Sequence, residues 1–408
     1  MTDTDTARPT TGPRPAPSEA ASGRSLLRQF IGTNSATGIG FAQVIVGLIA
    51  IWTVFTVLNP NFISPTNLTN LALQIVSMAA IAIGVVLVLL IGHIDLSIGS
   101  VSGLAATAMA GLNIKLGVPP ALAIIAALIG GAVIGLVQGG IVAYFGVPSF
   151  VVTLAGLIGW QGLQLFIFDY TGAMNVTDSQ ILGLTGTFFQ PWLGWVLALA
   201  VLVVMALLTL RLRRRRAKVG LANTGPRVEG LRLAIIAVVL AAVISMFTLD
   251  RGIPLGVLIV LGMVMLMDFV ARRTLFGRRI YAVGGDALAA ARVGINVKLI
   301  TISVFAMSGT FAALGGMLSA SRLQSVTQSA GSGDVLLNAI AAVVIGGTSL
   351  FGGRGSLWSA LLGTLVIGSI SNGMDLLALA SPVKLMVTGA VLIAAVIFDA
   401  SVRRRQAR

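Results

Sequence analysis

With 408 residues, 56% of them hydrophobic and only 10% charged, the chain departs from soluble domains, which carry about 25% charged residues. The absence of cysteine excludes disulfides and thiolate metal sites, and the single histidine leaves no zinc-ligand spacing. The formal net charge of +14 comes from basic residues beside apolar stretches, the pattern of inner membrane loops, so no nucleic-acid partner is expected.

Residues 1–40 begin with a Pro-, Ser- and Thr-rich stretch that lacks the apolar core of a secretory signal. They are expected to form a disordered cytoplasmic tail. A transmembrane region is expected over 41–400. Its twelve apolar segments run roughly over 41–58, 71–91, 96–112, 121–144, 149–168, 190–210, 232–249, 253–271, 299–319, 335–345, 357–374 and 383–400. No ten-residue alternation suggests a barrel, so the fold expected is an all-α polytopic transmembrane bundle. The 49 glycines suggest close helix packing. Segment 335–345 is short for a bilayer that needs ~20 residues, and only a few residues part 71–91 from 96–112. Broken or re-entrant helices are therefore allowed for, giving about 10–12 spans.

Placing the N-terminus inside and alternating sides puts the basic stretches 211–232, 272–298 and 401–408 in the cytoplasm. Only Lys115, Arg251, Arg322 and Lys384 then fall at outer ends, so both termini are expected to be cytoplasmic. The 211–232 linker reads as a solvated loop facing anionic lipid. Segment 272–298 has six Arg or Lys residues, the pair Gly284-Gly285, Asp286 and an Ala-rich run. It is expected to dock a separate cytoplasmic protein that pushes on a membrane pore.

No Gly is followed by Lys, so the Walker phosphate loop is absent and ATP is not expected to bind this chain. No enzymatic motif is present, and no cofactor or metal site is expected. His93, Asp95 and Ser97 lie between two apolar segments. Asp95 reads either as a cap on the following helix or as a functional acid at membrane depth. The amides Gln43, Gln74, Gln138, Gln161, Gln164, Asn338 and Asn372 suit either interhelical hydrogen bonds or the path of a neutral polar solute. Gln74, His93, Asp95, Ser97, Asn338 and Asn372 are the candidate path residues. The Gly-rich breaks at 92–100 and 346–356 resemble the paired breaks of transporters.

Four stretches resemble the membrane permeases of bacterial ABC-type sugar importers, the branch serving ribose, xylose, galactose and arabinose. They are GHIDLSIGS at 92–100, VPSFVVTLAG at 147–156, TLFGRRIYAVGGDALAAARVGINV at 274–297 and IGGTSLFGGRGSLWSALLGTLVIGSISNGMDLL at 345–377. The resemblance covers roughly 41–400. The basic insertion at 211–232 and the ending SISNGMDLLAL set it toward the xylose-type members. His93 stands where the family commonly has glycine, and Asp286 where it has asparagine.

The resemblance implies a cytoplasmic ABC ATPase partner that binds the ATP, an extracytoplasmic sugar-binding protein and a second permease copy or paralogue, all in a lipid membrane. It also implies that Gly277, Arg278, Gly284, Gly285, Ala290, Arg292 and Gly294, with Asp286 beside them, form a coupling element fitting a groove in the ATPase. The outer turns near 59–70 and 322–334 would receive the binding protein. An ion-coupled secondary carrier and a membrane scaffold or lipid-handling protein are the alternatives; the few charges at membrane depth argue against the former.

Overall fold

The computed structural model describes residues 36–169, 172–218, 226–391 and 393. The expected N-terminal tail up to residue 35, part of the 211–232 linker and the 401–408 basic tail lie outside them.

The helices, in chain order, are α1 (Ala36–Leu58), α2 (Pro65–Leu90), α3 (Ile98–Ile114), α4 (Pro120–Phe145), α5 (Ser149–Phe168), α6 (Ser179–Gly186), α7 (Pro191–Lys218), α8 (Pro226–Thr248), α9 (Leu255–Arg273), α10 (Leu275–Gly285), α11 (Ala287–Arg292), α12 (Val297–Leu323), α13 (Gly333–Ile345) and α14 (Leu357–Leu376). A further helix, α15, covers 381–391. Eleven of the twelve apolar segments each correspond to one of these helices; the twelfth, 383–400, begins in α15, and its residues 392 and 394–400 lie outside the described ones. Among the described residues, eight helices are long and apolar enough to cross a membrane. Ile98–Ile114 and Asp334–Ile345 are shorter apolar helices. The 17 residues of α3 and the 13 of α13 span about 25 and 20 Å at 1.5 Å per residue, less than the ~30 Å hydrocarbon core. These are the two places where the sequence allowed for broken helices.

Buried apolar surface decides which helices are central. In α2, 78% of the most apolar window is buried, against 11% in α7. The outer face of α7 carries exposed Trp192, Leu199 and Val204, which suits contact with lipid. Helix α12 is the hub and packs against α4, α2 and α3. Its crossing with α4 depends on glycine. A Cβ added at Gly135 would lie 2.7 Å from the Phe305 carbonyl carbon, and one added at Gly309 would lie 2.9 Å from the Gly131 carbonyl carbon. Backbones this close exclude a side chain on either helix, the close-packing logic of small residues in membranes.

Two antiparallel two-stranded ladders tie connections together. β1 (Ala173–Asn175) pairs with β4 (Ser325–Thr327), with Met174 opposite Val326. β2 (Phe188–Phe189) pairs with β3 (Ile253–Pro254), with Phe189 opposite Ile253. The basic run 211–218, read from sequence as loop, is instead the last turns of α7. Arg and Lys favour helix, and cations complement the negative end of the helix dipole.

Candidate functional site

The two Gly-rich breaks meet in space. Helix α2 ends at Leu90, where its carbonyl accepts a hydrogen bond from the Gly353 amide at 3.0 Å. Gly92 turns the chain with φ +76°, and Gly352 and Gly353, at φ +89° and +70°, turn the partner break. All three conformations suit glycine because they place no Cβ against the backbone. A Cβ added at Gly352 would lie 3.0 Å from the Gly92 Cα and 2.7 Å from the Gly284 carbonyl oxygen. Gly284, from the basic segment, thus fills the corner between the breaks.

Asp95 follows in a buried position with three internal hydrogen-bond donors. The Ser97 amide and hydroxyl donate to its Oδ1 at 2.9 and 2.7 Å, and Ser308 of α12 donates to Oδ2 at 3.1 Å. Gln138 of α4 donates to the Ser97 hydroxyl at 2.9 Å. The N-cap of α3 is Ser97, whose side chain makes no cap bond; the Asp95 carboxylate holds the turn that precedes it. This network joins α3, α4 and α12, and fully paired buried groups fix one geometry. The His93 ring lies 6.0 Å from that of Phe305.

The basic segment 272–298 is two short helices rather than an open loop. Thr274 caps α10 by accepting from the Gly277 amide at 3.2 Å, and buried Gly277 lets α10 fold back tightly against the end of α9. Asp286 caps α11, its Oδ1 accepting from Leu288 and Ala289 amides at 2.9 and 3.0 Å. A carboxylate does this as well as the asparagine amide common in the family, and it adds a favourable charge at a helix N-terminus. Ala290 is buried, and Gly294 leaves α11 with φ +83°. Gly285 is exposed, with open space where its Cβ would be. Arg278, Arg279 and Arg292 are exposed beside exposed Leu288 and Val293.

Polar contacts anchor this unit to the second break. Arg272 donates to Ser356 Oγ at 3.0 Å while paired with Asp268 at 2.7 Å. The Tyr281 hydroxyl donates to the Gly355 carbonyl at 3.0 Å. Burial pushes the Tyr281 phenol above its usual range; the Arg272 charge opposes this and the Asp268 charge adds to it. The phenol therefore remains a donor at neutral pH.

Toward the opposite ends of α2 and α12 lies a cavity of about 380 Å³, bounded by α2, α3, α12, α13, α14 and the 325–332 segment. Gln74 and Asn338 line it. The 325–332 segment packs in part against α3, while Thr327, Gln328 and Ser329 at its middle are exposed. A Cβ added at Gly331 would lie 2.7 Å from the Gly103 amide, and Gln164 donates to the Ala330 carbonyl at 3.1 Å. Glycines on α3 leave room for that approach.

The six candidate path residues therefore divide between three places. Gln74 and Asn338 line the cavity. His93, Asp95 and Ser97 lie at the break. Asn372 exchanges amide hydrogen bonds with Asn67 at 2.8 and 3.1 Å, joining α14 to α2. Gln138 was not singled out as the partner of Ser97, nor Ser308 as that of Asp95; 41 residues separate the first pair and 213 the second.

Paired helix breaks and a polar cavity, inside a bundle with eight helices among the described residues long and apolar enough to cross a membrane, define a multi-pass membrane transport protein. The chain belongs to the family described as branched-chain amino acid transport system / permease component, whose model matches residues 67–396. It is similar to the xylose transport system permease protein XylH of Escherichia coli, 36% identical over 363 residues, 89% of this chain and 92% of that protein. The XylH protein of Haemophilus influenzae is 35% identical over 371 residues, 89% and 97% of the two chains. The ribose import permease protein RbsC of Bacillus subtilis is 34% identical over 353 residues, 86% and 90% of the two chains. The chain is a permease component of the cell membrane.

Proposed function

We propose that this chain is the membrane-spanning subunit of an ATP-driven monosaccharide importer, serving xylose or a related pentose or hexose. It forms the path and performs no covalent chemistry; a cytoplasmic ABC ATPase binds and hydrolyses the ATP. An extracytoplasmic binding protein delivers the sugar to two permease copies, and both termini face the cytoplasm. The names of the relatives, for xylose and ribose, support the sugar class.

The observation that carries the reading is the seat of Gly284. The basic unit is wedged against Leu90, where α2 ends, and Gly353, within the second break, so a push on its exposed face is delivered where the bundle is discontinuous. Exposed Arg278, Arg292, Leu288 and Val293 give the ATPase a mixed charged and apolar surface. Gly277, Asp286, Ala290 and Gly294 shape that surface, and Gly285 keeps it open.

Charge reversal by Arg292→Glu tests the reading, because Arg292 is exposed and has no ion pair among the described residues, so its replacement costs the fold only the small helix-end charge term. The variant is expected to insert normally and lose ATP-driven uptake. Wild-type uptake in this variant would overturn the proposal.

A further inference from the structure

The cavity between α2, α12 and α14 has a mixed lining, in which polar side chains stand among apolar ones such as Met78, Ile81 and Val335. Ser77, Ser319, Asn338 and Ser371 line it, and no hydrogen-bond partner from the described residues occupies their side chains. Serines in helices usually bond back to the carbonyl one turn earlier, as the Thr310 hydroxyl does to Ala306 at 2.9 Å. Here three hydroxyls and one amide are left for something within the cavity. Gln74 adds a second amide, at 3.4 Å from Asp375 Oδ2.

Two further features narrow the occupant. Among the described lining residues there is no aromatic ring, so a solute gains nothing from stacking. The charged side chains in the lining are Arg322 and Asp334, of opposite sign, so the cavity presents no net charge to an ionic solute. Its 380 Å³ falls at the lower end of the roughly 300–1,000 Å³ of small-molecule sites.

We propose that this cavity is a binding site within the permease itself for a small, neutral, polyhydroxylated solute, and that Asn338 is its principal specificity-determining residue. The proposal rests on the sugar-importer reading but goes beyond it, because it makes the membrane subunit selective and not a passive opening. Recognition comes chiefly from hydroxyl–hydroxyl and hydroxyl–amide bonds, in which each partner can both donate and accept. Such a site tolerates a change in ring configuration and rejects the loss of hydroxyls. Without stacking it binds weakly, which suits a solute that must leave again.

The absence of native cysteine allows a direct test. Ser319→Cys, or Ser371→Cys where the first fails to fold, is introduced into the full chain assembled with its ATPase. Exposed Ser179→Cys, outside the cavity, is the control. Reaction with a membrane-impermeant methanethiosulfonate is followed with D-xylose, D-glucose or 1,5-pentanediol present. At a sugar concentration about twice Kd, labelling of the cavity cysteine should slow about threefold, with no effect of the diol and none at Ser179→Cys. Adding Asn338→Ala should raise the half-protecting sugar concentration about fivefold, the loss of one neutral hydrogen bond. No protection, equal protection by the diol, or protection of Ser179→Cys would overturn the site. Those results would leave the importer reading standing if Arg292→Glu still abolished ATP-driven uptake, so the two failures are distinguishable.

Discussion

Gly284 and Gly285 are adjacent in sequence and opposite in surroundings, so alanine at each position separates packing at the break from any other effect. At Gly284 a methyl group would overlap the Leu90 carbonyl and lie 2.8 Å from the Gly353 nitrogen, where ordinary contact begins at 3.4 Å. At Gly285 it would meet nothing within 4 Å. Relief at Gly284 means drawing α10 away from the corner, which also disturbs the 3.0 Å bond from the Gly353 amide to the Leu90 carbonyl. Overpacking costs about 1–3 kcal/mol and the hydrogen bond about 1 kcal/mol, so the seated arrangement loses about 2–4 kcal/mol. At 1.4 kcal/mol per tenfold, its population falls at least about tenfold relative to displaced arrangements. ATP-driven uptake in reconstituted vesicles, with ATPase binding measured in parallel, is the assay. Gly284→Ala should cut uptake at least about tenfold, and Gly285→Ala should leave it unchanged. Equal uptake in the two variants would refute the argument that force passes through this corner.

Other variants probe the remaining contacts. Ser308→Ala removes one donor to the Asp95 carboxylate and should destabilise the detergent-solubilised protein by about 1.5–3 kcal/mol, read as a lowered thermal midpoint. Asp95→Ala breaks three hydrogen bonds and should lower the midpoint further; a wild-type midpoint would show that the network adds nothing to stability. Asn372→Leu leaves the Asn67 side chain only its bond to the Phe62 carbonyl and should cost about 1–3 kcal/mol, whereas Asn372→Gln should recover part of it. If Asn372→Leu altered sugar preference at unchanged stability, the residue would belong to the path instead.

The helices were legible because each apolar segment carries its own signal in composition and length. The two short ones, α3 and α13, were visible as anomalies for the same reason. Their partners were not. Asp95 announced itself as a lone acid between apolar segments, but nothing local points to Gln138 on α4 or Ser308 on α12. Such pairings are set by how helices cross, and polar residues inside spans look alike in sequence whether they face a neighbour or a cavity. Asn338 and Asn372 illustrate this: both are span amides, yet one lines the cavity and the other is paired with Asn67. The contact of the 325–332 segment with α3 was not foreseen, because its Ser- and Gly-rich composition signals a loop without naming what it packs against. Asp286 was read only as a charge in the basic segment, although it stands immediately before α11 and caps it, a start signal the sequence did offer.

The central claim is that the chain supplies a path and takes its driving force from a separate ATPase. The most direct measurement is sugar accumulation in sealed vesicles containing the purified chain alone, under an imposed proton or sodium gradient, compared with vesicles that also hold the ATPase, binding protein and ATP. The account predicts uphill transport only in the second preparation. Uphill transport by the chain alone under an ion gradient would contradict it.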